Sequence, residues 1–170
     1  MLWFQKLLEL IKRKALMIKI NIISNNNNWN NYLKNPETLF KKKINLFNKR
    51  FNKYKKKKIL FTILLSGDGE IKKLNKKFRK KNKTTDVLSF PFYKKKELKK
   101  KLYNKKEIYL GDIIINLNKV RNKKNKNSFI FEFDKLWVHG LVHLFGYDHK
   151  KNLDFRKMQF VEKKFLSYLN

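Results

Sequence analysis

The residues with the clearest chemical potential are the three histidines of this 170-residue chain, His139, His143 and His149. His139 and His143 are four residues apart, so on a helix they lie on one face. Gly146 can end that helix in the left-handed conformation, after which the chain can turn and bring His149 back. Three neutral imidazoles without a fourth protein ligand are typical of an open, catalytic transition-metal site. The alternative is three ordinary histidines near a helix end, but this spacing, with no other histidine in the chain, favours the metal site.

The residue beside the first histidine bears on the kind of chemistry. The ligand spacing and the glycine match the zinc-protease pattern His-Glu-x-x-His-x-x-Gly-x-x-His, but position 140 is Gly. In those proteases the glutamate is the general base. This chain therefore keeps the ligand set and lacks the usual base for peptide hydrolysis. A metallopeptidase-like hydrolase would need a base from elsewhere, such as Asp148 or Glu132.

The elements that must position these residues alternate between strands and helices. Apolar runs predict strands, and helical spacing predicts a helix from Pro36, one after Asp68 and one from about Leu117. Pro91 places its strand at a sheet edge, and Lys94 to Lys106 is interpreted as a basic loop. The alternation predicts a single α/β or α+β structure. The predicted strands are Leu16–Ser24, Lys58–Ser66, Asp86–Phe92 and Tyr109–Ile115, and the last two helices are Phe129–Phe145 and Leu153–Leu169.

The N-terminal segment and the amino-acid composition bear on the domain limits, on the cellular compartment and on membrane association. Residues 1–15 are predicted to be an amphipathic N-terminal extension, and residues 16–170 one domain. Charged residues interrupt the first segment, which favours a helix over a signal peptide. There is no cysteine, and no apolar run approaches the roughly 20 residues of a membrane span. We expect a cytoplasmic protein without a membrane partner.

The net charge of +31 comes from 44 basic and 13 acidic residues. Such a surface attracts polyanions, including nucleic acid. The chain is also rich in Lys, Asn, Ile and Phe, whose codons are A/T-rich, so genome composition can account for much of the charge. The total charge therefore supports nucleic-acid binding only weakly.

Three blocks of sequence resemble the YbeY family of bacterial single-strand-specific endoribonucleases and rRNA maturation factors. The histidine block matches the family pattern His-Gly-x-Leu-His-Leu-x-Gly-Tyr-Asp-His, with Val142 in place of Leu. The second block, Leu74 to Pro91, resembles Leu-Asn-x-x-Tyr-Arg followed by Thr-Asp-Val-Leu-Ser-Phe-Pro, with Phe78 for Tyr and Thr84 where Pro is common. The third is the segment 110–113, Leu-Gly-Asp-Ile. The resemblance covers roughly Leu16 to Leu169.

The resemblance implies a compact α/β fold, with a small, mostly parallel four-stranded sheet, five to six helices and a metal-binding cleft. It implies cleavage of single-stranded RNA, including maturation of the 3′ end of 16S rRNA and ribosome quality control. It further implies one zinc ion, or another divalent transition metal, on His139, His143 and His149, and an arginine at Arg79 that activity needs. The implied partners are precursor 16S rRNA, the small ribosomal subunit and assembly factors, with no DNA expected.

The chemistry of Arg79 agrees with that role. A guanidinium can hold a phosphodiester through two parallel hydrogen bonds, which lysine cannot do. Only five of the 44 basic residues are Arg, which favours a functional Arg79 over a surface charge after a helix. Asp148 can orient an imidazole, help activate water or be a turn residue, and Asp86 and Asp112 are equally ambiguous.

Two further expectations stay open. The strand through Ser89 can form one wall of the cleft, along which a nucleic-acid backbone would lie. The non-enzymatic alternative is a basic ribosome-assembly factor whose metal is purely structural.

Overall fold

The sheet is the frame on which the rest of the molecule is built. The computed structural model describes residues 17–51, 53–54, 57–149 and 152–169, and the predicted N-terminal extension lies outside them. The strands are β1 (Met17–Ser24), β2 (Lys58–Ser66), β3 (Val87–Pro91) and β4 (Glu107–Asn116), in the spatial order β1-β2-β4-β3. The first two pairings are parallel and β3 joins β4 in antiparallel. The expected four-stranded, mostly parallel sheet is confirmed, and Pro91 ends an edge strand.

Five α-helices surround this sheet in the described residues. They are α1 (Pro36–Arg50), α2 (Asp68–Arg79), α3 (Lys95–Asn104), α4 (Lys126–Leu144) and α5 (Asn152–Ser167). Short 3₁₀ turns occupy Asn27–Asn31 and Leu117–Lys119. Asparagine side chains begin two of the helices, because Asn35 accepts from the N–H of Thr38 and Asn125 from that of Ser128. The α/β fold expected from the sequence is confirmed.

The main core lies between one face of the sheet and α1, α4 and α5. Its buried rings include Phe40 of α1 and Trp137 of α4, which contact edge to face with the ring centroids 5.7 Å apart. Asp134 of α4 also pairs with Lys43 of α1 at 2.5 Å and accepts from the Trp137 indole N–H at 2.8 Å. Burial raises the pKa of Asp134, and the Lys43 ammonium opposes that rise. These contacts fix α4, which carries two of the histidines.

The other face of the sheet is covered by α2 in a smaller cluster. Ile71 of α2, Leu88 of β3 and Ile114 of β4 form its buried centre. Asn116 at the end of β4 donates to Asp68 at 2.8 Å and to the carbonyl of Thr85 at 3.0 Å. The start of α2 and the entry to β3 are thereby tied to the same strand end.

Two sequence predictions are wrong. The segment from Lys94 to Lys106 is mostly helix rather than loop, because Leu98 and Leu102 are one turn apart and buried while the lysines face outward. The helix expected from about Leu117 is only a single 3₁₀ turn, since the Asn116 side chain accepts from the N–H of Asn118 and Val120 already leaves the helical conformation. The next α-helix begins at Lys126.

The helices in the described part of the chain do not meet the requirements of a membrane span. None of its helices combines the length and the apolar character that a membrane span requires.

Candidate metal centre

Helix α4 places the first two histidines on one face, one turn apart. The Nε2 atoms of His139 and His143 are 3.1 Å from each other. Both side chains are partly buried at the wall of a cleft. The spacing of four residues therefore produces the facing pair that the sequence predicts.

The turn after α4 brings the third histidine to this pair. Gly146 adopts φ +82°, the left-handed conformation expected from the sequence. Its N–H donates to the carbonyl of His143 at 2.8 Å, and the N–H of Tyr147 donates to that of Val142 at 3.2 Å, which is a Schellman ending. One candidate ligand atom from each of the three histidines then lies within 4.8 Å of the others.

The remaining ring nitrogens of the pair are held by acceptors. His143 Nδ1 lies 3.0 Å from the carbonyl oxygen of Tyr147, and His139 Nδ1 lies 2.5 Å from Oε1 of Glu162 on α5. A carbonyl oxygen can only accept, so His143 carries its proton on Nδ1. An ionised Glu162 imposes the same tautomer on His139. Both Nε2 atoms then present lone pairs toward the same point.

This donor set fits a transition-metal ion. Two lone pairs facing each other at 3.1 Å repel unless a cation lies between them. Orientation of a ligand imidazole by a carboxylate or a backbone carbonyl is the usual arrangement around zinc. Burial lowers the pKa of His143, and nearby His139 lowers it further. Both effects favour the neutral imidazole, which is the form that binds metal.

Gly140 lies against the sheet. A Cβ atom at this position would be 2.7 Å from Cγ2 of Ile113 on β4, closer than real side-chain atoms approach. Position 140 therefore points at β4 and leaves no room for the glutamate of the protease pattern. Glu132, the other base considered from the sequence, pairs with Lys135 at 2.9 Å and is absent from the described lining of the cleft.

The cleft beside the histidines has a volume of about 1010 Å³ and is lined by all three histidines and by Arg79. Arg79, the last residue of α2, reaches it from the far side of β3, and Ser89 of β3 forms part of its wall. Arg79 is exposed and forms no ion pair within the described residues. Folding thus brings an arginine to a histidine cluster 60 residues further along the chain.

A hydrogen bond fixes the loop that follows Arg79. Lys80 turns the chain with φ 59°, and the buried Asn75 donates its side-chain N–H to the carbonyl of Lys83 at 2.7 Å. The loop is therefore anchored beneath the end of α2, while the arginine side chain itself projects into solvent.

The aspartates separate into two groups. Asp86 and Asp148 line the cleft. Asp148 accepts from the N–H of His149 at 2.8 Å, and Asp86 accepts from that of Val87 at 2.8 Å, so both stabilise turns. Asp112 lies away from the cleft, where it accepts from the Tyr109 hydroxyl at 2.5 Å. Asp154 of α5 also lines the cleft and was not anticipated.

Sequence reasoning also missed the two groups that orient His139 and His143. Glu162 is 23 residues from His139, and only the packing of α5 against α4 brings them together. The contact of His143 with Tyr147 involves a backbone oxygen, and the residue type at position 147 does not predict such a contact. The only available signal was that Glu162 is one of two acidic residues in a basic terminal helix.

Comparison with known proteins agrees with the geometry. The family model described as Endoribonuclease YbeY matches residues 21–170. Among curated relatives, Endoribonuclease YbeY of Pelagibacter ubique is 47% identical over 146 residues, covering 84% of this chain and 90% of the relative. That of Ehrlichia canis is 35% identical over 157 residues, covering 90% and 93%. A solution structure from Thermotoga maritima matches with a TM-score of 0.54, 25% identity and 89% coverage of both chains.

Proposed function

This chain belongs to the YbeY family of endoribonucleases, and on that premise we propose that it cleaves single-stranded RNA in a metal-dependent reaction. Its proposed substrate is precursor 16S rRNA, cut near the 3′ end during ribosome maturation and quality control. The observation that carries the proposal is one cleft lined both by the three histidines and by Arg79. A set of candidate metal ligands beside an exposed guanidinium suits an anionic phosphodiester.

The proposed metal is one zinc ion, or another divalent transition metal, on His139, His143 and His149. When bound, such an ion supplies positive charge that polarises a phosphoryl oxygen and acidifies water. Glu162 and the Tyr147 carbonyl hold the first two imidazoles in the tautomer that offers Nε2. The orientation of these two ligands is thus set by the protein before RNA arrives.

Arg79 is the proposed catalytic residue. Its fork of donors can hold two oxygens of the scissile phosphodiester, whose charge increases in the transition state. Because Arg79 has no carboxylate partner in the described residues, binding phosphate breaks no ion pair there. Lys94 and Lys95 also line the cleft and add positive charge for the flanking phosphates.

The open shape of the cleft favours catalysis over a structural metal. His149 is exposed and the other two histidines are only partly buried, whereas a structural zinc site is usually closed by four protein ligands. The peptidase alternative is disfavoured because position 140 faces β4. As part of the same proposal, the enzyme acts in the cytoplasm with the small ribosomal subunit and assembly factors, and residues 16–170 form its catalytic domain.

The test compares metal content and RNA cleavage in wild type, His143→Ala and Arg79→Ala. We expect about one metal ion per wild-type chain, loss of metal and cleavage in His143→Ala, and unchanged metal with cleavage reduced about 10²- to 10³-fold in Arg79→Ala. Arg50→Ala is the matched control, since Arg50 donates to the Ser167 carbonyl at 2.8 Å and lies outside the described cleft lining.

The readouts separate the alternatives. A protein that digests casein but leaves single-stranded RNA intact would be a peptidase. Full rescue of rRNA processing by His139→Ala would show a non-catalytic role. Normal cleavage by Arg79→Ala would remove that residue from the mechanism while leaving the metal site standing.

A further inference from the structure

Four aromatic side chains lie on the α2 side of the sheet: one at the end of α2, one in β3, one just after β3 and one in β4. We call them the aromatic surface: Phe78, Phe90, Phe92 and Tyr109. Phe78 is 57% exposed and Phe92 is 64% exposed. Both are far more exposed than the buried phenylalanines of the main core. Large apolar rings left in solvent at one place indicate a binding surface.

The two exposed rings are held in position by edge contacts. Phe78 meets Phe90 of β3 with ring centroids 5.1 Å apart and planes at 62°. Phe92 meets Tyr109 of β4 at 5.8 Å and 74°, and its N–H donates to the carbonyl of Leu110 at 2.8 Å. Edge-to-face contacts of this kind are favourable and hold an exposed ring in position.

A bulge in β4 makes the second contact possible. The pairing of β2 with β4 shifts by one residue near Gly111, which adopts φ +130°. The extra residue puts Tyr109 and Asp112 on the same face, where the hydroxyl donates to the carboxylate at 2.5 Å. The Tyr109 ring is thus fixed behind Phe92.

The aromatic surface is continuous with the cleft. Arg79 follows Phe78 directly, and Phe92 itself lines the cleft together with Arg79 and the histidines. A chain that passes over the edge strand β3 therefore meets exposed rings immediately beside the proposed phosphate site.

Charge indicates what this surface binds. Residues 72–83 contain eight cationic side chains and no acidic one. Lys77 lies over the Phe78 ring, with Nζ 5.3 Å from the centroid. Rings interleaved with cations match a single strand of nucleic acid, whose bases stack while its phosphates pair with lysine.

We propose that Phe78 and Phe92 stack on unpaired bases that flank the scissile phosphate. This inference rests on the proposed function and deepens it, since it identifies the feature that makes the substrate single-stranded. Bases in a duplex are stacked on one another and cannot reach protein rings. The aromatic surface is therefore a base-binding subsite of the nuclease.

The experiment measures RNA binding by Phe78→Leu, Phe92→Leu and the control Phe131→Leu. Phe131 is 58% exposed, carries Lys135 Nζ 4.7 Å from its ring centroid and is absent from the described cleft lining. It therefore matches Phe78 in type, exposure and cationic neighbour. The probe is a fluorescent ten-nucleotide single-stranded RNA, compared with the same RNA made abasic at the two positions that flank the cut. Stopped-flow anisotropy reads binding before turnover.

Phe78→Leu and Phe92→Leu should each bind the intact RNA about five- to tenfold more weakly than wild type. On the abasic RNA, wild type should itself be weakened, and the two variants should match it. Phe131→Leu should behave as wild type on both.

Two results would overturn the inference. Equal losses on intact and abasic RNA would show that the rings do not stack on bases. Unchanged RNA binding in all three variants would assign the surface to a protein partner. Cleavage by wild type is measured separately. If wild type cuts the RNA and all variants bind it normally, the proposed nuclease function is supported and the base-binding role is contradicted. If the variants lose binding as expected but wild type does not cut the RNA, the base-binding role is supported and the nuclease function is contradicted.

Discussion

The two halves of the cleft are built in opposite ways. The histidine half sits on α4, which packs tightly on the sheet through Gly140, and the Nδ1 atoms of His139 and His143 are occupied by Glu162 and by the Tyr147 carbonyl. The arginine half is one exposed side chain at the end of α2, beside a left-handed residue. In the histidine half, contacts with neighbouring groups fix the side chains, whereas in the arginine half only the backbone is fixed.

This difference fits what each half is proposed to bind, a metal ion in one case and a phosphodiester in the other. A metal site must hold several ligand atoms in place before the ion arrives, because small errors in ligand position weaken coordination. An arginine that receives a phosphodiester can close on its substrate, and a solvated side chain serves that purpose. The comparison predicts that changes in the arginine half alter catalysis, while changes in the histidine half alter metal affinity or stability.

Arg79→Lys should give the largest effect. The charge is kept but the planar fork of donors is lost, so we expect kcat to fall about 100-fold while metal content and thermal stability stay unchanged. Steady-state cleavage of single-stranded RNA together with metal analysis checks this. Wild-type kcat in Arg79→Lys would mean that this half supplies only charge.

Glu162→Gln should act on the histidine half. Loss of the carboxylate beside His139 Nδ1 is expected to weaken metal affinity about 10- to 100-fold and to leave kcat nearly normal at saturating metal. Competition against a zinc chelator measures the affinity. Glu132→Gln is the matched control, since Glu132 lies on α4 and pairs only with Lys135 in the described residues. Equal affinities for the two variants would contradict the proposed orienting role.

Gly140→Ala should destabilise the fold. The new methyl group would meet Ile113, and overpacking of this kind costs about 1–3 kcal/mol. Gly69→Ala is the control, because nothing lies within 4 Å of a Cβ at position 69 in α2, and alanine is the better helix former there. Urea unfolding compares the two, and equal stability would show that α4 has room to move away from the sheet.

Asp68→Asn should have the smallest effect, and it should depend on pH. Hydrogen bonds from Asn116 and then Asn118 lower the pKa of Asp68 below its ordinary value of 3.8. A lowered folded-state pKa stabilises the fold above the unfolded-state pKa, and this contribution disappears as the pH falls through the folded-state value. The free energy of unfolding of wild type should therefore exceed that of the variant by about 0.5 kcal/mol at pH 7. This difference should shrink as the pH falls below 4 and passes through the folded-state pKa. Urea unfolding at pH 7 and across this acidic range measures the difference.

The sequence was sufficient for the parts of the molecule that local pattern determines. Apolar runs predicted the strands, and the spacing of His139, His143 and Gly146 predicted the helix and its left-handed C-terminal residue. The sequence-based prediction of a loop was wrong at α3, because only two leucines form the apolar face of this ten-residue, lysine-rich helix. It also could not reveal Glu162, because that contact depends on how two distant helices pack.

The hydrogen bond from His143 to the Tyr147 carbonyl has a consequence for how the site tolerates mutation. A backbone oxygen is present whatever residue occupies position 147, so substitutions there leave this acceptor in place. Glu162, by contrast, can be lost by a single codon change. The orientation of His143 is therefore insensitive to the residue type at position 147, and it depends instead on Gly146, whose left-handed turn aims the carbonyl.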